Sequence, residues 1–142
     1  MDDKKQIYLA GPLFSQAERD FNVLLRDMLA EMGFSVFLPQ EDGNDTESSR
    51  LEDRQRIIFE NDIRGLDESD IVLAVLDGGS DVDSGTAWEM GYAYAKGMPV
   101  IGLKTDFRTF GDEGIVNLMM EMSVDALERN IEGILKLLEN YL

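Results

Sequence analysis

Residues 71–76 read Ile-Val-Leu-Ala-Val-Leu, and this apolar run decides the fold class of the 142-residue chain. A short run without a polar face is typical of a strand that is buried on both sides, as in a parallel sheet covered by helices. Asp70 precedes the run, and a loop rich in Gly, Ser and Asp follows it at residues 77–84. We therefore place a central parallel strand here and extend the prediction outward from it.

The segments on both sides alternate between strand-like and helix-like patterns. Ser15 and Glu18 form a capping box that begins the first helix, and Gly33 ends it. Strands are predicted at residues 6–10, 34–38, 70–76 and 100–103, with a brief fifth strand at 123–124. Helices are predicted at 15–33, 50–66, 84–96 and 125–141, with a polar loop at 40–49 and a short helix within 112–122.

This alternation predicts an α/β fold in which residues 1–142 form a single domain. The domain is a doubly wound, flavodoxin-like or Rossmann-like parallel sheet of four to five strands with flanking helices. Ligands in such sheets bind at the carboxyl ends of the strands. We therefore expect the segments that follow the strands to meet there, at 10–15, 39–45, 77–85 and 104–117.

Composition excludes several classes of function. The chain contains neither Cys nor His, so catalytic triads with His, thiolate nucleophiles and His-bound metals are excluded. A net charge of −16 disfavours nucleic acid and anionic membranes as partners, although the charge alone also fits a role in solubility. No apolar run approaches the roughly 20 residues that span a bilayer, and no signal segment is evident. We expect a soluble, cytoplasmic protein.

The helix at 84–96 contains one unusual charge. Glu89 is the only charged residue between Asp83 and Lys96, and small residues surround it. A carboxylate in such a setting is costly unless it is bound or used, and the amino-terminal half of a helix helps to keep it ionised. Glu89 is thus a candidate nucleophile. By spacing alone, an exposed Glu on the outer face of the helix remains an alternative.

Asp62 lies near the end of the preceding helix, and two interpretations are open. It is either a solvated charge paired with Arg56 or Arg64, or a second carboxylate that faces Glu89. Two carboxylates in different environments are the usual equipment for cleaving a glycosidic bond. Sequence spacing does not separate these alternatives.

The first turn and the Met-rich segment are also ambiguous. The turn at residues 10–15 contains Gly11 but does not match a dinucleotide fingerprint. It presents Phe14 either over a pocket or into the core. Residues 117–122 read Asn-Leu-Met-Met-Glu-Met, and Met stripes are more often core or interface than ligand contacts.

Together these segments resemble the nucleoside 2-deoxyribosyltransferase family over residues 7 to about 123. The resemblance rests on four motifs in the same order along the chain. They are Ile-Tyr-Leu-Ala-Gly-Pro-Leu-Phe at 7–14, Asn-Asp-Ile-Arg-Gly-Leu at 61–66 with Ser-Asp-Ile at 69–71, Asp-Ser-Gly-Thr-Ala-Trp-Glu-Met-Gly-Tyr-Ala at 83–93, and Asn-Leu-Met at 117–119.

The resemblance implies a reaction and three catalytic residues. Glu89 matches the family nucleophile, Tyr8 the tyrosine that orients it, and Asp62 the acid that handles the proton of the base. The implied reaction moves 2-deoxyribose between bases by double displacement through an ester on Glu89, with net retention. No metal and no cofactor is expected.

The resemblance also implies substrate contacts and an assembly. Asp83 matches an aspartate that binds the sugar 5′-hydroxyl, Phe14 matches an aromatic that packs on the base, and Gly11 lies in the same turn. Asn117 and Met119 match residues that a neighbouring subunit contributes. The expected partners are therefore 2′-deoxynucleosides, free nucleobases and further copies of the chain, in a hexamer built from dimers.

Two alternatives remain. A related branch of 2′-deoxynucleoside 5′-monophosphate N-glycosidases looks to have a phosphate-holding serine six residues before the nucleophile, where this chain has Asp83. A carboxylate there repels a phosphate dianion, which favours free nucleosides. A receiver-like signalling module would need an acidic cluster after the first strand, and Ala10-Gly11-Pro12 supplies none, although Asp77 could accept a phosphoryl group.

Overall fold

A central sheet organises the molecule, and helices cover both of its faces. The computed structural model describes residues 3–43 and 50–142. Within these residues the strands are β1 (Gln6–Ala10), β2 (Ser35–Phe37), β3 (Ile71–Val75), β4 (Val100–Leu103) and β5 (Ala126–Glu128). The helices are α1 (Gln16–Met32), α2 (Pro39–Asp42), α3 (Leu51–Glu68), α4 (Ser84–Ala95), α5 (Leu118–Ser123) and α6 (Ile131–Leu138), followed by a 3₁₀ helix at Glu139–Tyr141.

The strands pair in the order β2-β1-β3-β4-β5, and every neighbouring pair is parallel. The predicted α/β class and parallel sheet are therefore confirmed, with five strands in the described residues. β1 and β3 are adjacent although β2 separates them along the chain, with Ile7 opposite Ile71 and Ala10 opposite Ala74. In such a sheet the crevice forms at the carboxyl ends of these two strands, where the winding direction reverses.

Side chains of β1 alternate between two cores. Ile7 and Leu9 pack with buried residues of α1 and α6, such as Leu25. Tyr8 and Ala10 point to the opposite face, where they pack with buried residues of α3 and α4. Because successive residues of a strand face opposite sides, Tyr8 is directed toward the two helices that carry Asp62 and Glu89.

The first helix forms as its sequence predicts. The Ser15 side chain accepts a hydrogen bond from the Glu18 amide at 3.1 Å, and the Glu18 carboxylate accepts one from the Ser15 amide at 2.8 Å. This confirms the capping box, and Gly33 ends the helix in a left-handed conformation with φ of 116°. Both ends of α1 are therefore fixed by local sequence.

Helix α3 lies unusually close to the sheet at Gly65. A Cβ atom placed on Gly65 would lie 2.7 Å from the ring of Phe37 on β2, which is closer than packed side chains allow. Phe37 in turn stacks on Tyr8, with ring centroids 5.2 Å apart and an angle of 11° between the rings. Gly65, Phe37 and Tyr8 thus form a packed series that runs from α3 through β2 to β1.

Two predicted elements need correction. The predicted final helix at 125–141 is wrong in its first part, because Ala126–Glu128 forms β5 beside β4 and α6 begins only at Ile131. The Asn130 side chain begins α6 by accepting a hydrogen bond from the Gly133 amide at 2.7 Å. The predicted fifth strand at 123–124 is therefore placed about two residues too early.

The predicted loop at 40–49 is only partly described. Its first residues belong to α2, which begins at Pro39, and residues 44–49 lie outside the described residues. Among the described residues, none of the helices combines the length and apolar character that crossing a lipid bilayer requires.

Candidate active site

A cavity of about 450 Å³ opens at the carboxyl end of β1, between α3 and α4. Its volume falls within the range that is common for small-molecule sites. The lining residues come from the first turn, from α2, from α3 and from the start of α4: Gly11, Leu13, Phe14, Pro39, Phe59, Asp62, Ile63, Leu66, Asp83, Ser84, Gly85, Trp88 and Glu89. Three of the four predicted segments therefore reach the same crevice.

Glu89 lines this cavity from the second turn of α4. Its Oε2 atom accepts a hydrogen bond from the Tyr8 hydroxyl. Burial raises the pKa of Glu89 to about 7; the Tyr8 hydrogen bond opposes this rise, and the charges of Asp62 and Asp83 add to it. The Glu89 carboxylate is thus held by Tyr8 and takes up a proton near neutral pH. It does not lie on the solvent face of α4.

Tyr8 is fully buried, and its ring is fixed by the stack on Phe37. Burial and the neighbouring Glu89 raise the pKa of Tyr8 far above its usual range. The phenol therefore keeps its proton at any ordinary pH and acts only as a hydrogen-bond donor to Glu89. A rigid donor on β1 fixes the position of the carboxylate without competing for its charge.

Asp62 enters the cavity from α3, three turns into the helix. Its Oδ1 atom is buried and has no hydrogen-bond partner among the described residues. Burial raises the pKa of Asp62 to about 6. No ion pair with Arg56 or Arg64 is present in the described residues, and Arg64 instead donates to Asn61 at 3.1 Å. The structure therefore places Asp62 with Glu89 and not in a surface ion pair.

Asp83 stands at the amino end of α4 and caps that helix. Its Oδ2 atom accepts hydrogen bonds from the Thr86 amide at 3.0 Å and the Thr86 hydroxyl at 3.1 Å. Asp83 also lines the cavity together with Asp62 and Glu89. The described residues that line the cavity include these three carboxylates and no Lys or Arg, so the site repels anions.

Aromatic side chains form the outer part of the cavity. Phe14 is 69% exposed, so it lies at the mouth of the cavity and not in the core. Phe59 and Trp88 meet edge to face with ring centroids 5.8 Å apart, and Trp88 stacks on Tyr92 at 5.5 Å. Such rings offer flat apolar surfaces of the kind that stack on nucleobases.

Sequence reasoning missed Phe59 and Trp88 as cavity residues. A signal was present for Phe59, because it precedes Asp62 by three positions and therefore shares a helix face with it. Trp88 stood beside Glu89 in the motif, but adjacent helical residues point in different directions, and only the cavity shape shows that both reach it.

The predicted segment at 104–117 does not line the cavity. Lys104 is 3% exposed and donates to Asp106 at 2.5 Å, and Arg108 also binds this carboxylate. Burial would raise the pKa of Asp106, but these hydrogen bonds outweigh it and lower the pKa to about 2. Here the loop builds a buried ion pair in place of the expected substrate contact.

Asn117 and Met119 also lie away from this cavity. The Asn117 side chain caps α5 by accepting a hydrogen bond from the Met119 backbone amide at 2.8 Å. The backbone amide of Asn117 donates to the Asp81 carboxylate at 3.0 Å. Met119 and Met122 are 70% and 76% exposed, and they line a second, apolar cavity of about 260 Å³ with Tyr94. Within one chain, neither Asn117 nor Met119 meets Glu89.

Leu142 lies at the opposite end of the molecule, where it shares a shallow cavity with Asp3, Lys4, Lys5 and Gly33. The Leu142 side chain lies 3.8 Å from the position of a Cβ atom on Gly33. Leu142 therefore does not enter the cavity of its own chain that contains Glu89.

The arrangement can perform proton transfer and nucleophilic attack. Glu89 is the better placed nucleophile, because Tyr8 holds it at a fixed position and opposes its protonation. Asp62 has an elevated pKa and can hold a proton near neutral pH. The cavity thus combines an anionic group, an acid and aromatic walls.

Comparison with known proteins assigns the chain to a protein family. Residues 7–132 match the family model for nucleoside 2-deoxyribosyltransferase. An uncharacterized protein of Ureaplasma parvum serovar 3 is 33% identical over 103 residues. This match covers 67% of the chain and 63% of the relative, so the chain spans less than two thirds of that relative's length.

Solved structures show the same fold. The crystal structure of a conserved protein from Enterococcus faecalis V583 matches with a TM-score of 0.84 and 30% identity, over 98% of this chain and 99% of that one. A 2-deoxyribosyltransferase from Bacillus psychrosaccharolyticus matches with a TM-score of 0.77 and 28% identity, over 91% of this chain and 89% of that one.

Proposed function

Because the chain belongs to the nucleoside 2-deoxyribosyltransferase family, we propose that it transfers 2-deoxyribose from a 2′-deoxynucleoside to an acceptor purine or pyrimidine base. The observation that carries this proposal is the hydrogen bond from Tyr8 to Glu89 at the wall of a cavity that also contains Asp62. A fixed carboxylate beside a second, protonatable carboxylate is what a double displacement at an anomeric carbon needs.

In the first step, a carboxylate oxygen of Glu89 attacks C1′ of the donor. The bond from C1′ to the base nitrogen breaks, its electron pair goes to the base, and Asp62 gives that base a proton. In the second step, the nitrogen of another base attacks C1′, the ester bond from C1′ to the Glu89 oxygen breaks and restores the carboxylate, and the new base gives its proton to Asp62. Two inversions give net retention.

Donor binding is assigned to the remaining residues of the cavity. The base packs on Phe14 beside the turn that contains Gly11, and the 5′-hydroxyl donates to the carboxylate of Asp83. In the described residues Asp83 uses only Oδ2 for capping, so Oδ1 is available to a hydroxyl. Because the lining residues carry three carboxylates, a 5′-phosphate should be repelled and free nucleosides preferred.

We also propose that the active unit is a homo-oligomer, a hexamer built from dimers in which Asn117 and Met119 complete the site of a neighbour. The support is the exposed apolar surface of α5 and α4, with Leu118, Met119, Met122 and Tyr94 each more than half exposed. Monomeric proteins rarely keep a contiguous surface of this kind.

The test is a pair of incubations, one with thymidine and adenine and one with deoxyinosine and adenine. Formation of deoxyadenosine in either supports transfer, and the comparison shows whether pyrimidine donors are accepted. Glu89→Ala should form none, and acid-quenched wild-type enzyme should carry a 2-deoxyribosyl group on the peptide that contains Glu89. Release of free deoxyribose without transfer would favour the N-glycosidase, and full turnover by Glu89→Ala would refute the mechanism.

A further inference from the structure

Gly43 follows α2 immediately and lies against Asp62, which lines the cavity. A Cβ atom placed on Gly43 would lie 2.1 Å from Oδ1 of Asp62 and 3.3 Å from its Cγ. The first distance is shorter than any ordinary contact. Only glycine therefore allows the carboxyl group of Asp62 to occupy its present position.

The backbone of Gly43 does not itself require glycine. Its φ of −101° and ψ of −8° are accessible to alanine, and its amide closes α2 through a hydrogen bond to the Pro39 carbonyl at 3.0 Å. Alanine would keep both features, and its methyl group would lie 3.1 Å from the Pro39 carbonyl oxygen. The contact with Asp62 is thus the feature that a side chain at position 43 would destroy.

The contact also determines the environment of Asp62. The oxygen that faces Gly43 is the one that is buried and has no hydrogen-bond partner in the described part of the chain. An ionised oxygen there is costly, because no donor compensates for the water it has lost, whereas a protonated carboxyl is tolerated. Covering this oxygen therefore favours the form of Asp62 that can give a proton.

We propose that Gly43 is a positioning residue for the general acid: it lets Asp62 rest with one oxygen covered by backbone, so that the carboxyl holds a proton more readily and faces the leaving base. This inference rests on the proposed function, in which Asp62 protonates that base. Gly43 itself touches no reacting atom in this role. It acts only through the orientation and protonation of Asp62.

The first test compares Gly43→Ala with the control Gly79→Ala, since a Cβ on Gly79 would meet no atom of residues 3–43 and 50–142 within 4 Å. Gly43→Ala must turn the Asp62 carboxyl toward solvent, which lowers its pKa. We expect kcat with deoxyadenosine to fall about 10-fold or more, KM to change little, and the pH optimum to move to lower pH. Gly79→Ala should behave as wild type.

A second donor separates acid catalysis from general damage. In 7-methyl-2′-deoxyguanosine the base is already cationic and leaves as a neutral molecule without an added proton. Gly43→Ala should therefore retain the wild-type rate with this donor to within about twofold. An equal loss with both donors, or no loss with deoxyadenosine, would overturn the proposal.

A double-mutant cycle with Asp62→Ala completes the test, and it also provides a variant in which the clash at position 43 is absent. If Gly43 acts through Asp62, Gly43→Ala should have no further effect in the Asp62→Ala background. Additive losses would refute the role of Gly43. If Asp62→Ala alone turns over deoxyadenosine normally, the acid assignment in the proposed function fails instead, so the two failures are distinguishable.

Discussion

The hydroxyl of Tyr8 on β1 donates to Oε2 of Glu89, which follows it by 81 positions in the chain. This bond lowers the pKa of Glu89 against the effect of burial. It therefore connects the geometry of the sheet with the charge of the proposed nucleophile. The first predictions below depend on that charge or on the residues that surround it.

Tyr8→Phe should move the pH optimum of kcat/KM upward. Glu89 must be ionised to attack, and losing the hydrogen bond raises its pKa. A hydrogen bond to a charged group is worth about 1.5–3 kcal/mol, which corresponds to about 1–2 pKa units and to about half that shift in the optimum. Tyr92→Phe, which removes a surface hydroxyl bonded to Asp67, is the control and should leave the optimum unchanged. An unmoved optimum in Tyr8→Phe would contradict the role of Tyr8.

Asp62→Asn should change the shape of the pH profile. In the wild type, the productive form has Glu89 ionised and Asp62 protonated, with pKa values of about 7 and about 6. We expect a bell-shaped dependence of the rate on pH, with its maximum between these two pKa values. Without the acid, the residual rate should rise with pH and then level off as Glu89 ionises. If Asp62→Asn keeps the bell-shaped pH profile, another group must transfer the proton.

Glu89→Gln should stabilise the protein while it abolishes transfer. The folded state raises the pKa of Glu89 from 4.5 to about 7, so the ionised form costs stability. This cost is absent below about pH 4.5, grows as the pH rises, and is complete above about pH 7. We expect a gain of about 1–3 kcal/mol in unfolding free energy at pH 8 that vanishes near pH 4, measured by urea denaturation.

Asp106→Asn should change the unfolding free energy in the opposite direction, measured in the same way. The folded state lowers the pKa of Asp106 from 3.8 to about 2, so its stabilisation is present above about pH 3.8 and is lost as the pH falls through 2. The variant should lose about 2–3 kcal/mol at pH 7, because Lys104 also loses its buried partner. If both variants shift stability in one direction at all pH values, the linkage argument does not hold.

Asp83→Asn should weaken discrimination against 5′-monophosphates. Asn caps a helix about as well as Asp, so α4 should remain intact while the charge that faces the 5′ position is lost. Losing a charged hydrogen bond should cost about 1.5–3 kcal/mol in kcat/KM for the nucleoside. Asp83→Ala, which also removes the cap, separates the two roles through its lower melting temperature. Wild-type preference for the monophosphate would reverse the choice of substrate.

Mixing two inactive variants should restore activity if sites are shared between subunits. Glu89→Ala supplies an intact Asn117, and Asn117→Ala supplies an intact Glu89, so each hybrid dimer contains one complete site. Random reassortment should return about a quarter of wild-type activity. Asn117→Ser is the control for loss of the helix cap, because Ser also caps α5 but lacks the amide side chain of Asn117. Confirmed hybrids without recovery, or a fully active monomer at assay concentration, would exclude shared sites.

The sequence predicted the parts of the fold that local chemistry determines. The buried run at 71–76 identified the central strand, and the capping box at Ser15 identified α1. Both signals depend on residues that are close in the chain. β5 was missed because Ala126–Glu128 has only three residues and owes its conformation to pairing with β4. Strand preference depends on such neighbours more than on the residues themselves.

The sequence motifs predicted the site residues that belong to them. They did not predict residues whose place in the site depends on how the helices pack. The motifs brought forward Tyr8, Asp62 and Glu89, and the structure places all three together. The aromatic wall and the contact between Gly43 and Asp62 depend on how helices approach one another. No periodicity or spacing encodes such an approach.

The packed series Gly65, Phe37 and Tyr8 has a consequence for how the protein can change during evolution or in the laboratory. A side chain at position 65 would press on the ring of Phe37, and Phe37 stacks on Tyr8. Libraries that diversify α3 in search of new donors should therefore hold position 65 constant. Although it touches no ligand, its variants should be lost from functional selections as readily as those of Tyr8.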